Sequence, residues 1–171
     1  MTYLTEPLNL EHERSGFNCG IEQLDTYIQK ISKQDMKRFL TVVHVLTEES
    51  SSGVIGYYTL SGLHIPRAVL PEAIIKKLPK GYNELPATLL GRLAIDLKYQ
   101  GQGLGEELLL DALKRAYDLT QSSIGSMAVV VDPYNAKSKK FYDQYDFIEI
   151  PDRDRMFLPM KTIEKIFRVR Q

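Results

Sequence analysis

The stretch LGRLAIDLKYQGQGLGEELLLDALKRA, residues 90–116, carries the strongest structural signal in this chain. Its opening, GRLAIDL (91–97), alternates Leu93, Ile95 and Leu97 with Arg92, Ala94 and Asp96, the period of a half-buried strand. Its close sets Leu104, Leu108, Leu109, Ala112, Leu113 and Ala116 along one face of an amphipathic helix. Between them lies QGQGLG, with glycines at 101, 103 and 105. Glycine lets the backbone approach a ligand closely and turns successive N–H groups into one concavity, with the positive end of the following helix behind it. That arrangement binds phosphates. Two familiar phosphate motifs are excluded: no Gly-Lys-Ser/Thr occurs, and Glu106 stands where the third glycine of G-x-G-x-x-G would fall.

Upstream, IEQLDTYIQKISKQDMKR (21–38) places Ile21, Leu24, Ile28 and Ile31 at helical spacing after the turn signal Asn18-Cys19-Gly20. FLTVVHVLT (39–47) and VIGYYTLSGL (54–63) read as an antiparallel hairpin with a long turn. The segment from Pro66 to Pro86 carries four prolines and reads as an irregular excursion with a short helix around Glu72 to Leu78. Downstream, MAVVVD (127–132) is a buried strand, Asn135 caps a short helix to Tyr145, and RMFLPM (155–160) is a last strand. Hairpins mixed with strand-helix-strand crossovers predict an α/β (α+β) chain with one central sheet, residues 1–171 forming a single domain.

Composition agrees with a globular domain: 43% of the 171 residues are hydrophobic and 26% charged. Twenty-two Lys plus Arg balance 22 Asp plus Glu, which removes the compositional warrant for a nucleic-acid-binding chain but leaves a local basic patch open. Cys19 is the only cysteine, so neither an intrachain disulfide nor a Cys-x-x-Cys zinc site can form. His12, His44 and His64 have no ligand-like spacing, and no metal is expected. The N-terminus has no uninterrupted apolar run and no stretch approaches a membrane span, so a soluble cytoplasmic protein is expected.

Gln100, Gly103 and Gly105 satisfy Q-x-x-G-x-G between a strand and a helix. Here the chain resembles the GNAT N-acetyltransferases, whose acyl-CoA pyrophosphate loop has the form [QR]-x-x-G-x-[GA]. The VVVD strand and the Asn-led helix containing Phe141-Tyr142 come next, in the family's order. The likeness extends to the GNAT toxins of type II toxin-antitoxin pairs, through FNCGIEQLDTYI (17–28), VIGYYTLS (54–61), PATLLGRLAID (86–96), QGQGLGEELLLDAL (100–113), IGSMAVVVD (124–132) and KKFYDQYDF (139–147). The resemblance implies a single GNAT-like domain with a mixed, mostly antiparallel central sheet flanked by helices. It also implies acetyl-CoA as cosubstrate, without a metal.

By the same resemblance, the backbone amides of Gln100, Gly101, Gln102, Gly103, Leu104 and Gly105 hold the pyrophosphate, and Leu93, Ala94 and Ile95 run along the pantetheine arm. Asn135 either touches that arm or is a plain helix cap. Tyr142 matches the family's general acid, with Tyr145 as second choice; a phenol near about pKa 10 can donate to a thiolate whose thiol titrates near about 8.5. Family members acetylate the amino group of an amino acid esterified to tRNA, are neutralised by a ribbon-helix-helix antitoxin and commonly form dimers. Aminoacyl-tRNA, such an antitoxin and a second copy are therefore the implied partners, with no membrane. Two alternatives stand beside this: transfer to a protein N-terminus, Lys or small amine, and a non-catalytic acyl-CoA-binding module.

No general base stands out. An α-amino group titrates near about 8 and is substantially neutral in the cell, so an aminoacyl acceptor needs less help than a Lys side chain. Arg92 is expected either at the acceptor cleft, on RNA phosphate or the terminal adenosine, or in an ion pair with Asp96 or another carboxylate. Glu106 and Glu107 suit the first turn of a helix. Residues 137–171 hold nine basic and six acidic side chains, so Lys139 and Lys140 read as RNA contacts or as a solvated face. Where the family's motif has Gly before Phe, this chain has Asp146, which must then adopt a left-handed turn.

Overall fold

The β-branched and aromatic runs form the strands. The computed structural model describes residues 3–168. The expected hairpin is present: β2 (Val42–Glu48) and β3 (Gly56–Pro66) pair antiparallel from Val42↔Leu60 to Leu46↔Gly56. β1 (Tyr3–Pro7) adds to β2 antiparallel. With β4 (Glu84–Ile95), β5 (Ala128–Val131), β6 (Ile148–Glu149) and β7 (Met156–Pro159), the seven strands are hydrogen-bonded in the order β1-β2-β3-β4-β5-β7-β6. β4 and β5 run parallel, whereas β5–β7 and β6–β7 are antiparallel, so the sheet is mixed and mostly antiparallel. The parallel pair needs a long crossover, and α4 (Leu104–Ser122) supplies it.

Contacts sort the chain into two compact units, one running up to Ser61 and including Gly91–Ala112, the other made of Gly62–Leu90 and Leu113 onward. In the first, Phe17, Tyr27, Ile28, Val43, Val45, Val54, Tyr57 and Ala94 share one core. Its helical segment runs α1 (Glu22–Thr26), a π turn (Tyr27–Ile31) and α2 (Ser32–Lys37). A π turn closes i→i+5 bonds, one residue more than an α turn, and so rotates the next helical turn about the axis. Ile31 is consequently 39% exposed, against the expectation from spacing, and Ser32 turns inward at 1%, its hydroxyl donating to the Ile28 carbonyl at 2.9 Å. At Gly56 a Cβ would lie 2.6 Å from Ile95 Cδ1 and 3.2 Å from the Ala94 carbonyl, so only glycine permits this approach.

In the second unit the core gathers Ile65, Leu70, Leu85, Ala87, Ala128, Val130, Ile150 and Phe157. α3 (Glu72–Ile75) is the short helix expected among the prolines. The following strand begins earlier than its alternation shows: β4 starts at Glu84, because Pro86 sits in the ladder using only its carbonyl, which accepts from Met127 N at 2.9 Å. The same strand stops at Ile95, and Leu97 is 52% exposed in a 3-10 turn (Leu97–Tyr99). α5 (Ala136–Asp143) ends two residues short of Tyr145, and α6 (Met160–Arg168) takes over at the Met160 that alternation assigned to the last strand. Asp146 adopts φ 66°, the left-handed turn required of it. Among the described residues no helix is long and apolar enough to cross a membrane, and no cluster of three or more His, Cys, Asp or Glu side chains could hold a metal.

Candidate active site

The glycine loop lies where β4 gives way to α4. Gly101 and Gly103 have φ of 77° and 81°, and a Cβ at either would meet nothing within 4 Å, so both face open space. All six apolar positions of the α4 stripe are buried, Leu104 included. Leu104 therefore offers a ligand only its backbone. The first N–H groups of this 19-residue helix have no intrahelical acceptor, and they come directly after the loop.

Long-range bonds hold the loop. The Gln100 amide donates to the Cys19 carbonyl at 3.1 Å and to the Ile95 carbonyl at 2.9 Å, so its side chain braces the loop. Asp96 accepts from Asn18 N at 3.0 Å and Lys98 N at 2.9 Å, and Leu97 N donates to the Asn18 carbonyl at 2.8 Å. Asn18-Cys19-Gly20, which reads locally as a turn signal, is thus the strut of a loop far along the chain, a role that no local pattern announces. Cys19 itself is buried, and burial together with Asp25 pushes its thiol up to about 12, which makes it inert.

Asp96 being engaged by backbone amides, the Arg92–Asp96 ion pair does not form. The Arg92 guanidinium instead lies 3.5 Å over the centroid of the Tyr27 ring. Tyr27 stacks on Tyr57 at 6.3 Å and 19°, and Phe17 meets Tyr57 edge-on at 5.5 Å. The Tyr57 hydroxyl donates to the Leu24 carbonyl at 2.7 Å, which anchors the column. Burial pushes the Tyr27 phenol up to about 12, opposed by the Arg92 charge. Leu93, Ala94 and Ile95 come after Arg92 on β4. The β4–β5 ladder covers only Thr88 to Leu90, and Leu93 to Ile95 lie beyond its last pair, Leu90↔Val131.

Tyr142 is buried on α5, its ring packed against Phe141 and Phe147 at 5.2 Å each. Burial raises its pKa, so the phenol stays protonated. Tyr145, half-buried, meets Phe141 edge-on. Asn135 caps α5: its Oδ1 accepts from Ser138 N at 2.9 Å while Ser138 Oγ accepts from Asn135 N at 2.9 Å. The cap uses only the acceptor of the Asn135 amide, and its NH2 is a separate donor.

A protein-family model, described as an acetyltransferase (GNAT) domain, matches residues 80–161. The chain is 32% identical to a probable toxin TacT of Sinorhizobium fredii over 95% of its own length and 94% of that protein. The chain belongs to the GNAT acetyltransferases. A tRNA-acetylating toxin of Mycobacterium tuberculosis is 31% identical over 84% of this chain and 82% of that one. Among solved structures, AtaT complexed with acetyl-methionyl-tRNAfMet superposes with a TM-score of 0.88 at 30% identity, covering 97% of this chain and 99% of that one.

Within this GNAT chain, positive charge is distributed differently from its count. Lys139 pairs with Glu149 at 2.8 Å, which raises its pKa; Arg155 grips Asp132 through two bonds of 2.6 and 2.9 Å; Arg168 pairs with Glu164 at 2.6 Å. Lys140 is exposed beside them, and Arg170 lies outside the described residues. A cavity of about 260 Å³ in this unit is lined by Asn135, Lys139, Glu149, Arg153 and Asp154 among others, with charges of both signs.

Proposed function

We propose that residues 1–171 act as one acetyltransferase domain that moves acetyl from acetyl-CoA to the α-amino group of aminoacyl-tRNA. The observation that carries this reading is the Gln100–Gly105 loop: two left-handed glycines open to solvent at the head of a long helix, braced by the Asn18-Cys19-Gly20 strut. Its N–H groups hold a pyrophosphate without drawing on formal charge, which is why a neutral chain suits acetyl-CoA. The strand edge Leu93-Ala94-Ile95, past the end of the β5 ladder, offers backbone groups to an extended pantetheine arm. Asn135 adds its free amide NH2 to that arm.

The neutral amine attacks the thioester carbonyl; the C–N bond forms, the C–S bond breaks and the sulfur leaves as thiolate. Tyr142 donates its phenolic hydrogen to that sulfur. The attacking nitrogen loses one proton to solvent and the phenolate regains one, so the protein ends unchanged. Arg92 contacts phosphate at the acceptor end of the tRNA. The reading extends to a cytoplasmic homodimer neutralised by a ribbon-helix-helix antitoxin; for the antitoxin, its support is the solved AtaT toxin bound to the C-terminus of the antitoxin AtaR.

The test is incubation with labelled acetyl-CoA and a pool of aminoacylated tRNA, followed by mapping of the label. Label on the amino acid of the tRNA is expected. Label confined to protein, or to small amines, overturns the acceptor assignment; acetyl-CoA binding without any turnover would establish a binding module instead.

A further inference from the structure

We infer that Tyr27 is a positioning residue for the acceptor: the Phe17–Tyr57–Tyr27 column is a pedestal that holds the Arg92 guanidinium as a preorganised fork for a phosphodiester of the tRNA acceptor end. This rests on the aminoacyl-tRNA reading of the site. Three observations carry it. The guanidinium carbon lies over an aromatic face, 3.5 Å from the Tyr27 centroid. Stacking engages the π face of the group and leaves its N–H donors pointing outward in the plane, the geometry that meets two phosphate oxygens at once. No carboxylate pairs with Arg92 among the described residues, because Asp96, its neighbour on the chain, is held by Asn18 N and Lys98 N. No ion pair among the described residues therefore neutralises its charge.

The column beneath is rigid. Tyr27, Tyr57 and Phe17 are all fully or almost fully buried, and Gln29 donates to the Phe17 carbonyl at 2.7 Å, tying the π turn to the base of the stack. The third observation is the π turn itself, which opens at Tyr27. Its extra residue allows Tyr27 and Ile28 to be buried side by side; such turns cost helical regularity and recur at functional sites. The Tyr27 hydroxyl lies toward Asp35 without a hydrogen bond of normal geometry, so what this residue supplies is its ring.

The measurement is steady-state acetylation of aminoacyl-tRNA by Tyr27→Leu, Tyr27→Phe, Arg92→Gln and the Tyr27→Leu/Arg92→Gln double variant, with KM determined separately for tRNA and for acetyl-CoA. Tyr27→Leu is expected to raise KM for tRNA about tenfold, in the range a desolvated cation–π contact allows, with KM for acetyl-CoA unchanged. Tyr27→Phe should restore the wild-type value, and Tyr27→Leu should add nothing in the Arg92→Gln background. An unchanged KM for tRNA in Tyr27→Leu, equal shifts in both KM values, or additivity in the double variant overturns the inference and leaves the acceptor assignment standing. Should Tyr27→Leu fail to fold, Arg92→Gln, altered only at the top of the column, must still separate the two KM values, and a common shift overturns the proposal. A wild-type protein that acetylates no aminoacyl-tRNA overturns both readings.

Discussion

Arg92 and Arg155 carry the same charge and are treated in opposite ways. Arg155 is clamped by both oxygens of Asp132, and the ion pair raises its pKa. Arg92 sits on an aromatic face, with no carboxylate paired to it among the described residues. Lys139 with Glu149 and Arg168 with Glu164 share the Arg155 pattern. A count of charges therefore misleads: nine basic side chains in the last 35 residues look like a binding surface, yet three of them are neutralised in place. A single unpaired guanidinium on a rigid base is the better candidate for recognition.

Tyr142 is the exception in the second unit, since its hydroxyl has no hydrogen-bond partner among the described residues. Tyr142→Phe is the largest expected effect: kcat falls by about 100-fold, the lower end of general-acid contributions, while both KM values and Tm stay put. Unaltered turnover would remove Tyr142 from the chemistry. The pH profile tests the same residue. The acid form is present below the phenol's pKa and is lost as pH rises through it, and burial moves that pKa above its usual value. Activity should therefore rise through about pH 8 as the acceptor amine deprotonates and show no fall below about pH 10. A decline centred below that point would identify a different acid.

Next in size is the comparison of the two arginines. Arg92→Ala removes a charge-assisted contact and should raise KM for aminoacyl-tRNA about 30-fold. Arg155→Ala should leave that KM within twofold and lower stability by about 1 kcal/mol or less, because its ion pair is partly exposed. Reversal of this order in parallel kinetics and thermal melts would break the distinction between the two side chains. Gly103→Val, which forces a β-branched residue into a left-handed turn, should raise KM for acetyl-CoA about tenfold and spare tRNA binding. Smallest is Lys139→Ala: with Glu149 as its partner, tRNA affinity should change less than twofold in a filter-binding assay. A tenfold loss would return the C-terminal segment to the acceptor surface.

Much of the scaffold was legible locally. The α4 stripe, the β2–β3 hairpin, the glycine loop and even the left-handed Asp146 derive from period, composition and the special freedom of particular residues. β1 had no comparable signal and is fixed by pairing with β2, whereas α6 does carry helical spacing in Met160, Ile163 and Phe167, concealed because it begins at a methionine that continues an apolar run. Pro86 hid the first half of β4, since a proline reads as a breaker unless a partner strand can use its carbonyl alone.

The sequence by itself determined where a glycine loop opens the head of a long helix, because glycine placement and a helix start are properties of adjacent residues. It also determined the family, through motifs spread over most of the chain. Only the tertiary structure decided which charges are available. Asp132 with Arg155, Lys139 with Glu149, Arg92 on Tyr27 and Gln100 against Cys19 each join residues that are 10 to 81 positions apart in sequence. Such pairings depend on distances that no periodicity encodes, since Coulomb attraction and ring stacking act through space rather than along the chain.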